Sequence, residues 1–168
     1  LIMLKKLKDS GTIPHQIPVY LDSPMAITIT QTYEKYMSKL SHQFLSSHSR
    51  HPFHFHNLHM LIRNKEGHVI DTTSGPRIVI AGSGMMNGGR ILKHAQKYLP
   101  NEKNRLLMVG YQGDETLGRE IVEGATEVKI FDAMVPVRAH VTRIGSMSAH
   151  ADENMLLHWL KNIHDVKK

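Results

Sequence analysis

Short apolar runs alternate along this chain with stretches whose apolar residues recur every three or four positions. Ile17–Leu21, Leu58–Ile62, Arg77–Ala81 and Leu106–Gly110 are runs of the kind that fill a parallel sheet buried on both faces. Arg77–Ala81 is expected to be the central strand. Between them lie helical patterns. One opens at Asp22-Ser23-Pro24, with Ser23 as N-cap and Pro24 at the first helical position, and runs to about Leu40 through Ile29, Tyr33, Tyr36 and Met37. Others cover Ile91–Leu99, Leu117–Glu123 (stopped by Gly124) and Asp152–Ile163. Leu1–Lys8 has the pattern of an amphipathic helix ended near Gly11, and Gly67–Pro76 reads as a loop or a short helical turn. Glu127–Phe131 and Val135–Ile144 alternate apolar with polar residues, which predicts an antiparallel hairpin around Asp132-Ala133-Met134. The expected fold class is α/β: a mostly parallel sheet flanked by helices, with an added antiparallel hairpin. Trp159, Leu156, Leu157, Leu160 and Ile163 share the last helix and are expected to pack in the core.

Two strand-to-helix turns carry candidate chemistry. Gly82-Ser83-Gly84-Met85-Met86-Asn87-Gly88-Gly89-Arg90 follows the strand Arg77–Ala81 directly. Small residues there let backbone approach a ligand closely. It is not the dinucleotide fingerprint, because Asn87 stands where a third glycine belongs. It is not a P-loop, because no Gly-Lys-Ser/Thr closes it. The plain alternative is a tight turn. The second turn, Gly145-Ser146-Met147-Ser148-Ala149-His150-Ala151-Asp152, places a hydroxyl and an imidazole at a helix start, a combination suited to phosphate. Asp152 is also an ordinary N-cap that would satisfy those N–H groups itself.

Composition narrows the partners. The chain has 168 residues, 40% of them hydrophobic and 21% charged, which suits one globular α/β domain. The absence of cysteine removes disulfides and thiolate metal sites and is compatible with the cytoplasm. No apolar run approaches the ~20 residues of a bilayer span, so no membrane partner is expected. A net charge of +6 favours anionic partners, although no dense basic run is present. No Met precedes the first helix, and the α/β rhythm calls for a strand after Lys161–Lys168, so a fragment of a larger protein is expected.

Four blocks occur in a fixed order: Asp22-Ser23-Pro24-Met25-Ala26; Ser83-Gly84-Met85-Met86-x-Gly88-Gly89-Arg90; Val109-Gly110-Tyr111-Gln112-x-x-x-Thr116-Leu117-Gly118; and Ser148-Ala149-His150-Ala151-Asp152. Together they resemble the β-CASP family of metallo-β-lactamase-fold nucleases over essentially all of the chain. The resemblance is closest to the bacterial and archaeal relatives of the cleavage and polyadenylation specificity endonuclease. It implies that residues 1–168 form a β-CASP domain inserted in a larger protein, with the last helix leading back toward a metallo-β-lactamase domain. It further implies a cleft that takes single-stranded RNA between the two domains, and two zinc ions in the full-length protein that activate the attacking water. Most ligands of those ions belong to the other domain, so no metal is expected in this chain. His150 matches the histidine of the second β-CASP motif, which binds phosphate or protonates the leaving oxygen. Ser148 matches a phosphate-contacting neighbour. Ser146-Met147 stands where relatives usually have Gly-Phe.

Around these blocks several residues have two readings. Ser83, Gly84 and Arg90 are expected to contact RNA phosphates, with strand capping as the alternative for Arg90. Asp22 is either a general base or a support for the turn into its helix. Lys93 and His94 either touch phosphate or line a solvated helix face. Met85 and Met86 either pack on bases or fill an interface. The tract His51-Pro52-Phe53-His54-Phe55-His56 invites a zinc reading, but no carboxylate or thiolate accompanies it, so no metal is assigned there. The function expected is the active-site wall of a zinc-dependent ribonuclease, the chain alone being inactive. The alternative is a non-catalytic α/β module that binds a nucleotide or other phosphorylated ligand at the Gly82–Arg90 loop.

Overall fold

A computed structural model of the chain describes residues 1–40, 44, 51–147 and 151–163. Strand β1 (Val19–Asp22) is buried at every position, because it is paired along both edges. It runs parallel to β2 (Leu58–Met60) on one side and β3 (Ile78–Ala81) on the other, with Val19 opposite Leu58 and Ile78. The centre of this sheet is therefore β1 and not the Arg77–Ala81 run, whose residues are only half-buried.

Helix α1 (Ile2–Asp9) precedes the sheet, and α2 (Pro24–Lys35) follows β1. The Ser23 hydroxyl accepts a hydrogen bond from the Ala26 N–H at 3.4 Å, and Pro24 opens the helix, as the sequence predicts. The α-helix stops short of Leu40: Tyr36 leaves helical geometry and a single 3₁₀ turn covers Met37–Lys39. The short helix α3 (His68–Thr72) leads to β3, and α4 (Ile91–Tyr98) follows it. A second parallel pair joins β4 (Arg105–Met108) to β7 (His140–Arg143). Helix α5 (Leu117–Val122) and the antiparallel hairpin β5 (Glu127–Ile130) with β6 (Ala133–Pro136) lie between them in sequence.

The hairpin differs from its sequence pattern. Its turn is Phe131-Asp132, one residue earlier than expected, and Val135–Ile144 is not one strand. Val137 N–H donates to Thr126 O at 2.8 Å, next to the end of the β5–β6 ladder. Arg138 and Ala139 N–H then both donate to Leu99 O at 2.9 Å, which turns the chain to lie beside β4. Alternation reports which residues face inward, but it is blind to a change of partner strand. One core collects Met86, Ala95, Leu99, Met108, Ile121, Val128, Ile130, Val135 and Ala139; a smaller one holds Tyr20, Leu61 and Ile70.

Helix α6 (Glu153–Leu160) starts at Asp152, whose Oδ1 accepts from Met155 N–H at 2.8 Å. Its apolar residues do not pack as expected. Trp159 is 63% exposed, and Leu156, Leu157, Leu160 and Ile163 are also exposed. Helical periodicity marks a face as apolar without saying what covers it, and among the described residues nothing buries this one.

Lys8 sits in the last turn of α1. It is fully buried, and its ammonium donates to the carbonyls of Ile17 at 2.6 Å, His15 at 3.2 Å and Pro14 at 3.4 Å. Burial pushes its pKa below the ordinary 10.5. Lys8→Met keeps the volume and removes every donor, so it should destabilise the chain by about 1.5–3 kcal/mol. A urea midpoint equal to that of the wild type would show that water replaces the ammonium at no cost.

Candidate functional site

The loop from Gly82 to Arg90 is folded tightly on itself. Ile91 N–H donates to Gly82 O at 3.0 Å and Met86 N–H to Ser83 O at 3.2 Å. Gly89 has φ +76°, and a Cβ there would lie 2.5 Å from Gly82 O, so only glycine fits. Met86 takes φ 59° and sends its side chain into the core, which anchors the loop from below. Met86 thus follows neither of its two readings: it packs in the core of this domain. Ser83 and Gly84 stand at the exposed rim. A Cβ on Gly84 would meet no heavy atom within 4 Å, so backbone there is open to a ligand.

Two neighbouring segments grip this loop. On one side a Cβ on Gly82 would stand 3.3 Å from Ser23 Oγ, which puts the loop against the start of α2. On the other, Gln112 is 1% exposed and its Nε2 donates to Gly84 O at 2.9 Å and Gly110 O at 3.1 Å. Gly118 N–H donates to Met85 O at 3.1 Å. A Cβ at Gly118 would collide with Gln112 Oε1, so a Cα hydrogen of the glycine faces that otherwise unpaired oxygen. The Thr116 hydroxyl donates to Gly113 O at 2.7 Å and accepts from Arg119 N–H at 3.2 Å, capping α5. Three of the four sequence blocks thus meet at the carboxyl ends of parallel strands, where open α/β sheets bind ligands. Ile144 N–H donates to Met108 O at 2.8 Å, which brings the exit of β7 beside the exit of β4. Gly145–Met147 forms one 3₁₀ turn there. Ser148 and His150 lie outside the described residues.

Beneath the rim is a buried polar cluster that the sequence did not reveal. Asp22 is 4% exposed at the end of β1. Its Oδ1 accepts from Arg90 Nη1 at 2.5 Å, and its Oδ2 lies 2.7 Å from His94 Nε2. Arg90 Nη1 also donates to Leu61 O at 2.8 Å, and Nη2 donates to Ile62 O at 2.7 Å. Of its two readings, Arg90 takes the capping one: its guanidinium binds the exit of β2 and the Asp22 carboxylate. Asp22 likewise supports the turn, since both its oxygens are engaged. His94 faces inward, not toward solvent, and its ring stacks on Tyr98 with centroids 6.0 Å apart. The Tyr98 hydroxyl donates to Asp71 Oδ1 at 2.9 Å, and Lys97 Nζ lies 2.5 Å from the same atom.

Within the histidine tract, His54 Nε2 lies 2.6 Å from Glu34 Oε1; beyond it, His59 stacks on Tyr20 with centroids 5.1 Å apart. Among the described residues no three His, Asp or Glu side chains gather as metal ligands. No helix among them is long and apolar enough to cross a membrane.

The profile of the Beta-Casp domain matches residues 1–121. Ribonuclease TTHA0252 of Thermus thermophilus is 37% identical over 148 residues, which is 86% of this chain and 34% of that protein. The RNase J-like protein of Methanocaldococcus jannaschii is 33% identical over 172 residues, covering 100% of this chain and 38% of the relative. The transcription termination factor FttA of Pyrococcus horikoshii is 28% identical over 155 residues, 88% of this chain and 24% of the relative. The chain spans 24–38% of the length of these relatives.

One outcome follows from the buried cluster and one from the exposed Asp71–Lys97 pair beside it. Asp22→Ala leaves the Arg90 charge buried without its partner, and breaking such a pair should cost about 3–5 kcal/mol of stability. The double variant Asp22→Ala/Arg90→Met should lose less than the sum of the single changes. Urea unfolding of all three variants measures both effects. The second outcome concerns acid. The Lys97 hydrogen bond holds Asp71 below its ordinary 3.8, helped by the Tyr98 hydroxyl and opposed by partial burial. The folded pKa is thus below the unfolded one, so this stabilisation is complete above about pH 4 and is lost as pH falls through the folded value. The Tm gap between wild type and Asp71→Asn should accordingly narrow below pH 4, and a gap constant from pH 6 to 2 would exclude the carboxylate as its source.

Proposed function

The chain belongs to the β-CASP family, and from that membership we propose that it forms one wall of the RNA cleft of a metal-dependent ribonuclease. The carrying observation is the open Ser83–Gly84 rim, held by Asp22–Ser23 on one side and Gln112 on the other. Backbone N–H groups and small side chains at such a rim suit a phosphate and tolerate any base. A ribonuclease and an RNase J-like protein among its relatives support RNA as the strand that lies there. The reaction of the intact protein in this reading is hydrolysis of RNA phosphodiester bonds. Its metal, two zinc ions, would be held by an accompanying metallo-β-lactamase domain and would supply an activated water. This chain contributes phosphate contacts from Ser83, Gly84 and Ser148, and His150 binds the scissile phosphate or protonates the leaving oxygen. Arg90 serves the site by fixing the end of the loop. The compartment in this reading is the cytoplasm, in keeping with a chain that has no cysteine.

The test uses the intact protein with a short single-stranded RNA. Gly84→Ala should keep the wild-type Tm, because its Cβ meets nothing, yet bind RNA several-fold more weakly. His150→Ala should lower the cleavage rate by roughly 10²- to 10⁴-fold while keeping the metal content. Binding should weaken with salt, with a slope of about −0.7 per phosphate contact. An intact wild type that neither binds nor cleaves RNA, but retains a nucleotide at this loop, would establish the phosphate-ligand module instead.

A further inference from the structure

Tyr111 stands one turn of chain beyond β4 and is 49% exposed. The backbone just before it is pinned. Gly110 O before it accepts from the Gln112 amide, and the same buried amide holds Gly84 O. After it, a Cβ on Gly113 would lie 3.8 Å from Tyr111 Cε1 and 3.6 Å from Met85 Sδ. The edge of the tyrosine ring and Met85 of the Gly-rich loop thus both lie beside Gly113. Among the described residues it has no ring partner and no hydrogen bond. A half-exposed aromatic ring that follows a fixed carbonyl, with the Arg119 charge as its electrostatic neighbour, needs little ordering to bind another flat ring.

Resting on the reading of the Ser83–Gly84 rim as a phosphate contact, we propose that Tyr111 is a stacking platform for one RNA base of the bound strand. Gln112 couples the two parts of this subsite, since one side-chain amide fixes both the backbone preceding the ring and the carbonyl of Gly84. Stacking on a π-face does not select among bases, so the subsite grips RNA without reading its sequence.

The experiment measures affinity of the intact protein for a short single-stranded oligoribonucleotide whose linkages resist cleavage. A second set of oligomers carries one abasic nucleotide at successive positions. Tyr111→Ala should bind the unmodified strand roughly 5- to 100-fold more weakly, with the Tm of the wild type, and Tyr111→Phe should restore binding. One abasic position should weaken the wild type by a similar factor and cost Tyr111→Ala nothing further. Wild-type affinity in Tyr111→Ala, or an affinity loss that tracks a fall in Tm, would overturn the proposal, the latter by making the ring a packing group. Tight binding by the wild type in either case leaves the RNA cleft standing and removes only the platform. A wild type that does not bind the strand removes both.

Discussion

The Asp22–Arg90 pair sets the geometry on which the rest of the site depends. A carboxylate at the end of a fully buried strand is costly unless opposite charge and hydrogen bonds surround it. Asp22 meets that demand with Arg90 on one oxygen and His94 on the other. The same guanidinium takes the carbonyls of Leu61 and Ile62, so one side chain ties the exits of β1 and β2 to the start of α4. Arg90 is also the last residue of the Gly-rich loop. Fixing it, together with the Ile91-to-Gly82 hydrogen bond, fixes where the loop must end. Ser83 and Gly84 are left exposed at the start of the loop, with Asn87 and Gly89 exposed farther along.

In the proposed reading, the anion site of this chain of net charge +6 without a dense basic run rests on backbone and not on surface charge. The loop's own arginine, Arg90, is engaged inside the fold. What remains at the rim is backbone and a hydroxyl, held from both sides by Ser23 and Gln112. Electrostatic preorganisation of this kind depends on groups that cannot relax away from the ligand, and Gln112 is buried deeply enough to act as such a clamp.

What the sequence disclosed follows the range of the forces involved. The Ser23–Pro24 helix start, the Gly-rich turn, the Asp152 cap and the α/β alternation arise from neighbours within a few residues, and all are visible in the pattern. The Asp22–Arg90 contact joins residues 68 apart, and nothing local distinguishes it from a solvated pair. Lys8 was equally hidden: its place on an amphipathic helix suggests solvent, and only the returning carbonyls of 14–17 bury it. Gln112 carried a faint signal, a long amide amid glycines, of which Gly118 makes room for its oxygen. The order of the four blocks recovered the family because a shared fold constrains all of them at once.

The exposed apolar stripe of α6 and the split of Val135–Ile144 belong to one lesson about periodicity. A period of two or of 3.6 records which side of an element excludes water, and it holds for any partner that covers that side. In β7 the partner is β4, reached only because Leu99 O captures two successive N–H groups and diverts the chain. In α6 no partner is present among the described residues, and Trp159 lies bare on an otherwise capped helix. The diversion at Leu99 matters more for function. Without it, residues after Pro136 would continue along the hairpin, and the segment leading to Ser148 and His150 would not leave the sheet beside β4. The path of the described part of that segment, up to Met147, is therefore decided by two backbone hydrogen bonds to Leu99 O.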